Sequence, residues 1–595
     1  MLNTSIGNKG YSIYKRELTQ QQQDALIHDL TVSPNTHGSP GMNNQITFPV
    51  YRVSPLKFYV PYYYGVAKFG AAATSKIEPG EDIDLEFNGT LRDYQAPVVQ
   101  KFIDHVKGTT TDKGTTTDKG TTKGGLLELY CAWGKTSASL YILSQLKKKT
   151  LVIVHKEFLM NQWIERIQQF LPRARIGKIQ GQIIDIENKD IVLCMLQSLV
   201  LKEYPPTMFD SFGFTIIDEV HHISSQTFSN ALFKIVTQYM LGLSATMERK
   251  DGTTKVFKMF LGEVVHKAEK KNEQAVEVHC MRYKNNDPEF NETILDYKGQ
   301  PQISSMISKI CSYNRRTEYI IDVLNAFICV DKEKNASHKK EMDQANPPCK
   351  MCKRTENYLV RNTCCNTVQY CLLCMDKVVE DAVNTRETVT DKQGNTKEVK
   401  RRPKCPQCCK IVAYEQNYIE NPYIKPLSEV HTIVMSHNLN VLEYMYRKFV
   451  CKNYASVGFY VGGMNEQELK KSEKKQIILA SYSMCSEGLD IPTLNAEFLI
   501  SPKTDVVQIV GRILRAKHAT TNPTIYDFVD NHDVFRRQWL KRRAYYKKQN
   551  YKIIDGHDSW NPGSGRLCRQ EDESDEKEKD DPFLQGQCFL KKNKK

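Results

Sequence analysis

The chain has 595 residues, enough for roughly four domains, and its 83 Lys and Arg against 69 Asp and Glu leave a net charge of +14. That excess favours a polyanionic partner over an acidic substrate. The N-terminal MLNTSIGNKGYS has no apolar core and no stretch holds eighteen uninterrupted apolar residues, which argues against secretion and membrane spanning and for an intracellular protein.

Residues 1–90 are read as an N-terminal accessory domain. Its aromatic-rich segment from Tyr51 to Phe69, with FYVPYYYGVAKFG, could stack on bases; a small domain core built from strands is preferred, because the same residues suit strands. Between Lys107 and Gly125, KGTTTDKGTTTDKGTTKGG repeats a six-residue unit that can bury nothing and is expected to be a mobile surface loop. From Leu126 the apolar runs LLELY, TLVIVH, DIVLCML, FTIID and YMLGLSAT alternate with amphipathic helices, which predicts a first parallel sheet over 91–270. A second series, HTIVMS, QIILAS, EFLIS and TIYDFVD, predicts another over 271–330 and 425–555, split by a cysteine-rich insertion at 331–424. The expected fold class is α/β, two open parallel-sheet domains with ligands at the carboxyl edges of the strands.

Gly134-Lys135-Thr136 follows a strand and opens the helical SASLYILSQL, the context in which backbone N–H groups and a lysine cradle phosphates and a threonine hydroxyl ligates Mg2+. The full phosphate-loop pattern asks for glycine where Leu129 stands, and Ala132 and Trp133 occupy places usually given to small residues. Asp218-Glu219-Val220-His221 closes the run Phe214 to Ile217. Asp218 is assigned to Mg2+, Glu219 to the attacking water, and His221 to a link with Ser244-Ala245-Thr246. Further on, Gln508-Ile509-Val510-Gly511-Arg512-Ile513-Leu514-Arg515 puts Arg512 and Arg515 one helical turn apart, where both could reach a γ-phosphate from a second domain. This order of motifs reads as an ATP-driven nucleic-acid motor.

LRDYQ (91–95), CAWGKT, DEVH, SAT, SEGLDIP and QIVGRILR together resemble the ordered motifs of superfamily 2 DExH helicases over about residues 91 to 550. Within that group GFYVGGMN, LASYSMCSEGLDIPTLN, SPKTDVVQIVGRILR and FRRQWLKRRAYYKKQNYKI are most similar to the transcript-release helicase of poxviruses and its relatives in large DNA viruses. The likeness reaches, more distantly, the translocase subunit of the eukaryotic transcription factor that opens promoters. The resemblance implies two RecA-like domains with ATP bound between them, Arg92 and Gln95 at the adenine, and Gly488 and Asp490 coupling the nucleotide to the strand. Gln508, Arg512 and Arg515 would serve hydrolysis, and movement would run 3′ to 5′. It also implies a viral setting: the host cytoplasm, the virus factory or the virion.

Nine of the eighteen cysteines lie between Cys349 and Cys409, which in an intracellular chain means metal rather than disulfides. Cys349-x2-Cys352, Cys364-Cys365, Cys371-x2-Cys374 and Cys405-x2-Cys408 supply eight thiolates, enough for two tetrahedral Zn2+ ions. The spacing resembles a RING-type cross-brace, which implies that Cys349, Cys352, Cys371 and Cys374 share one ion and Cys364, Cys365, Cys405 and Cys408 the other, leaving Cys409 spare. The adjacent Cys364-Cys365 and the absence of a histidine between the second and third pairs depart from the RING pattern. A structural or partner-binding module, open to a transcription-machinery partner, is therefore preferred over a ubiquitin ligase.

From Val534 to Ile554 eight Lys and Arg occur with no acid, interleaved with Phe535, Trp539, Tyr545, Tyr546 and Tyr551. Such a segment can follow a phosphate backbone or brace the second sheet with its rings inward, or do both. The acidic run 571–581 belongs to a tail, 556–595, expected to be disordered. The reading is an ATP-dependent helicase or translocase acting on DNA in viral transcription or genome processing. An RNA helicase is the alternative, since phosphate contacts leave the sugar open. An inactive motor whose zinc module is an adaptor or ligase is the alternative of another class.

Overall fold

The computed structural model describes residues 2–34, 47–108, 123–130, 133–205, 207–220, 226–245, 247, 252–268, 275–390, 396–487, 491–511, 513–514, 521–556 and 566–567. Most of the Lys-Gly-Thr repeat and the acidic run lie outside these residues. The chain divides into two compact units, Met1–Lys271 and Asn272–Lys595. Among the described residues no helix is long and apolar enough to cross a membrane.

In the first unit the five predicted runs are strands Lys123–Glu128, Thr150–Val154, Ile191–Met195, Phe214–Asp218 and Tyr239–Ser244. They form an eight-stranded sheet in the order 183–184, 176–180, 191–195, 150–154, 214–218, 239–244, 123–128, 264–267. Every neighbouring pair is parallel except the terminal hairpin. All five residues of Thr150–Val154 are buried, because helices cover both faces and apolar side chains are needed on each. Leu127, Val152, Leu193, Ile216 and Leu241 belong to the core on one face, and Leu126, Leu151, Val192, Ile217 and Met240 to the core on the other. The strands that carry the GKT, DE and SA motifs are neighbours, so their carboxyl ends converge.

The N-terminal segment builds its own five-stranded sheet over a small core of Tyr11, Ile13, Leu18, Leu26, Leu30, Phe58 and Val60. Its aromatic segment is strand only over Lys57–Val60 and becomes helix over Tyr62–Phe69. Pro61 at the N-cap ends the strand, since it has no N–H for a ladder and its fixed φ suits a helix start. The Tyr63 hydroxyl meets the Gly124 carbonyl at 3.1 Å, joining this helix to the first strand of the larger sheet.

The second unit repeats the design. Strands are ordered 457–460, 477–481, 432–436, 496–499, 524–530, 277–283, 552–556, 566–567, all parallel but the last. The insertion is a helix Lys332–Ala345, a three-stranded sheet ordered 367–371, 359–362, 414–416, and a helix Leu372–Asn384 with a following hairpin. Val360, Tyr370, Leu372 and Met375 of the insertion share one hydrophobic core with Val441, Leu442, Met445 and Phe449 of the helix Leu439–Lys452. The insertion is thus fused to the second sheet's helical layer, and its fold draws on that layer as well as on its cysteines.

Gly65 tests the packing of the N-terminal core. A Cβ there would lie 2.3 Å from Cγ of the fully buried Tyr11. Alanine gains about 0.8–1 kcal/mol of helix propensity over glycine, but the overpacking costs about 1–3 kcal/mol and dominates. Gly65→Ala should therefore lower the thermal unfolding midpoint of the chain; an unchanged or higher midpoint would show that Tyr11 yields freely.

Candidate active site and thiol clusters

The strand Lys123–Glu128 runs into a loop in which two of the departures from the phosphate-loop pattern, Leu129 and Trp133, are absorbed by the core, while Ala132 lies outside the described residues. Leu129 is 0% exposed and Trp133 2% exposed, so both side chains turn into the sheet's helical layer and leave the loop to its backbone. Gly134 then takes a left-handed φ of 94° as N-cap of the helix Lys135–Leu146, and a Cβ there would lie 2.3 Å from Gln95 Nε2. Only glycine fits this turn. Gln95 itself is buried. Its Nε2 donates to the Trp133 carbonyl at 2.9 Å, and its Oε1 accepts from the Arg92 backbone N–H at 2.9 Å. The Tyr94 hydroxyl donates to the same Trp133 carbonyl at 3.4 Å and accepts from Arg92 Nη1 at 2.7 Å. The LRDYQ segment therefore braces the phosphate loop from beneath its backbone.

Two further contacts tie the three strand ends together. The Leu129 N–H donates to the Ser244 carbonyl at 2.9 Å, joining the GKT loop to the strand of the SA motif. Lys135 Nζ lies 2.9 Å from Glu219 Oε1, with both side chains mostly enclosed. Glu219 reaches it with a φ of +51°, a left-handed conformation that costs a non-glycine residue about 1 kcal/mol or more and that clusters at functional sites. Asp218 accepts from the Trp163 indole N–H at 3.0 Å and from the Glu219 N–H at 3.0 Å. Loss of solvent and the adjoining Glu219 carboxylate push the Asp218 carboxyl up, while the Lys135 charge and these hydrogen bonds oppose the rise.

The geometry offers a helix N-terminus with a glycine and a lysine for an anion, and beside it two carboxylates of which Lys135 neutralises one. Asp218 ends its strand and Thr136 stands on the first turn of the helix Lys135–Leu146, and their carboxylate and hydroxyl are the hard oxygen types that Mg2+ takes. His221, Thr246, Gly488, Asp490, Arg512 and Arg515 lie outside the described residues, and Gln508 is described only as backbone in the helix Val507–Val510. Trp163 was not singled out by the sequence. Its spacing with Leu159, Met160 and Ile167 reads simply as a buried helix face, which it also is.

In the second unit the thiols fall into two groups, Cys349, Cys352, Cys371, Cys374 and Cys364, Cys365, Cys405, Cys408, the sulfurs of each lying within 4.8 Å of one another. The pairs thus interleave, first with third and second with fourth. Separations of 3.8 Å for Cys352–Cys371, 3.9 Å for Cys365–Cys405 and 3.6 Å for Cys364–Cys408 match the roughly 3.8 Å edge of a tetrahedron with Zn–S bonds of about 2.3 Å. Lys353 and Cys409, each just after a CxxC, have φ of 61° and 57°, so the two knuckles turn alike. Burial works against ionising Cys349, but the N–H groups of Cys352, Cys371 and Met351 outweigh it and bring its thiol down to about 6. Cys405 is likewise opposed by burial and brought to about 7, chiefly by the N–H groups of Cys408 and Gln407. Thiolates are the form a metal binds. Cys409 is exposed and in neither group.

A family model described as "Type III restriction enzyme, res subunit" matches residues 88–249, the segment that holds the GKT, DE and SA strands. The chain is 29% identical over 560 residues to the Acanthamoeba polyphaga mimivirus protein named "Putative ATP-dependent RNA helicase L396", covering 93% of this chain and 86% of that one. It is 22% identical over 444 residues to the similarly named QP509L protein of African swine fever virus, covering 72% of this chain and 69% of that one. A solved structure titled "S. cerevisiae Dbp5 bound to RNA and ADP BeF3" aligns with 78% of this chain and 94% of that chain at 10% identity and a TM-score of 0.41, too loosely to place any residue. With that domain over 88–249 and helicase-named relatives along most of its length, the chain is an enzyme of the ATPase/helicase class.

Proposed function

We propose that this enzyme couples ATP hydrolysis to movement along nucleic acid, with DNA in viral transcription, including transcript release, or in genome processing as its setting. The observation that carries the reading is the 2.9 Å contact of Lys135 with Glu219, a cation beside a carboxylate of the kind that phosphate binding and general-base catalysis call for. Gly134, Lys135 and Thr136 bind the phosphates, and Arg92 and Gln95 stand toward the adenine. Mg2+ held by Thr136 and Asp218 supplies charge neutralisation on the phosphates. Glu219 takes the proton of the attacking water, His221 and the Ser244 strand relay the change, and Gly488 and Asp490 couple it to the strand. Gln508, Arg512 and Arg515 serve the γ-phosphate. Two Zn2+ ions hold the insertion, a structural or partner-binding module.

The relatives' names favour RNA as the second reading. The rate of ATP hydrolysis with no polymer, duplex DNA, single-stranded DNA or RNA separates the two. DNA stimulation several-fold above RNA is expected, RNA stimulation alone would transfer the enzyme to the second reading, and no stimulation would leave the zinc module as the working part.

The Trp163 hydrogen bond favours the Asp218 carboxylate, so its loss raises the carboxyl pKa further. Trp163→Phe should move the acid limb of the pH profile for ATP hydrolysis to higher pH, with more loss at low pH than at high pH; an unmoved limb would remove Asp218 titration from the mechanism. Metal analysis should find two Zn2+ per chain, and Cys405→Ser should lose one. A wild-type chain purified without zinc and still folded would contradict the metal assignment.

A further inference from the structure

The helix Asp533–Lys548 has two faces with different chemistry. Inward lie Phe535, Trp539, Arg542 and Tyr546, all buried. Arg542 is 2% exposed and forms a bidentate pair with Asp527, both contacts 2.7 Å, while its third N–H donates to the Lys503 carbonyl. The Tyr546 hydroxyl donates to Asp527 at 3.0 Å. Arg316 pairs with Asp530 and donates to the Ile500 carbonyl at 2.8 Å, and the Tyr482 hydroxyl donates to the Ser501 carbonyl at 2.8 Å. Side chains from three helices thus fix the exit loop 500–503, which leads into QIVGRILR, and the basic helix is one of the three.

Outward lie Arg537, Lys541 and Lys548, all exposed, with Ala544 between them. At about 100° per residue these positions fall within about 60° of one another, and the cations are spaced about 6 Å and 10 Å along the axis. No carboxylate among the described residues pairs with any of the three, and Arg537 makes only a 3.4 Å contact with the carbonyl of Asp533. Neighbouring cations of the same unit are matched: Lys552 pairs with Glu277 at 2.8 Å and Arg282 with Asp555 at 3.0 Å. Like charges one turn apart repel, so this line contributes nothing to stability on its own.

We propose that the outward face of this helix is a contact strip for the phosphate backbone of a nucleic acid, held rigidly to the second sheet through Arg542. The proposal rests on the nucleic-acid reading above and adds a surface to it. Three cations in line, without competing acids, suit a regularly spaced polyanion, and backbone contacts of this kind position a strand without reading its sequence.

The test uses the full chain carrying Arg537→Gln, Lys541→Gln and Lys548→Gln together, and the oligonucleotide that most stimulates the wild-type enzyme. Binding is titrated between 50 and 200 mM salt, values in the range where counterion release is steep. The slope of log K against log salt should fall by about 2 to 3, since each phosphate contact contributes about 0.7–0.9. The polymer concentration for half-maximal stimulation should rise, while polymer-free hydrolysis and the unfolding midpoint stay unchanged. A variant with Arg537→Lys alone should keep the wild-type slope. Wild-type binding with an unchanged slope in the triple variant overturns the strip alone, and no binding by the wild type overturns the nucleic-acid reading with it. Tighter binding by the triple variant also overturns the strip and points to the acidic run 571–581 as its occupant.

Discussion

Lys135 and Glu219 stand 84 positions apart in the chain and 2.9 Å apart in space, and the site depends on that meeting. It exists because three parallel strands, 123–128, 239–244 and 214–218, lie side by side and end at the same edge. A parallel sheet covered on both faces leaves its carboxyl edge as the place where polar side chains can collect without burial in the core. In the structure the Lys135 ammonium is held by the Glu219 carboxylate. On the proposed reading, phosphates entering the helix N-terminus would compete for the same ammonium and free Glu219, so that binding and activation of the base would be one event.

The sheet strands were legible because full burial demands continuous apolar runs, and each predicted run has its strand, from Thr150–Val154 to Thr524–Asp530. The helix Tyr62–Phe69 was not, since its tyrosines suit strands and Pro61 decides the matter only through its place in the chain. Leu129 and Trp133 looked like faults in the phosphate loop. A motif pattern cannot say that a side chain leaves the loop for the core, which both do. Trp163 gave no signal beyond helical spacing, because its hydrogen bond to Asp218 joins elements 55 residues apart. Gln95 is read at the adenine by resemblance alone, and the hydrogen bond of its amide to the Trp133 carbonyl, 38 residues away, is one that no motif spacing announces.

The second unit shows how charge can be read two ways along one helix. Of the basic run, Arg542 is spent inside on Asp527, where breaking such a buried pair costs about 3–5 kcal/mol, while Arg537, Lys541 and Lys548 remain outside. Of the five rings of the run, Phe535, Trp539, Tyr546 and Tyr551 are buried braces, and Tyr545 is half-buried against Tyr546 and Tyr551. The thiol groups follow the same economy of scale, closing a small insertion that also leans on the helix Leu439–Lys452 for its core.

On the proposed reading Glu219 performs the chemistry that Lys135 prepares. Single-turnover ATP hydrolysis by Glu219→Gln, beside its equilibrium affinity for ATP, tests it most directly. The amide fills the space of the carboxylate and can still accept from Lys135, but without the negative charge it competes less for the ammonium, so ATP should bind at least as tightly as to the wild type. The chemical step should slow by about 10²–10⁴-fold, the usual contribution of a positioned general base. Hydrolysis at the wild-type rate with ATP bound would contradict the claim and leave the Lys135–Glu219 contact as a fold element only.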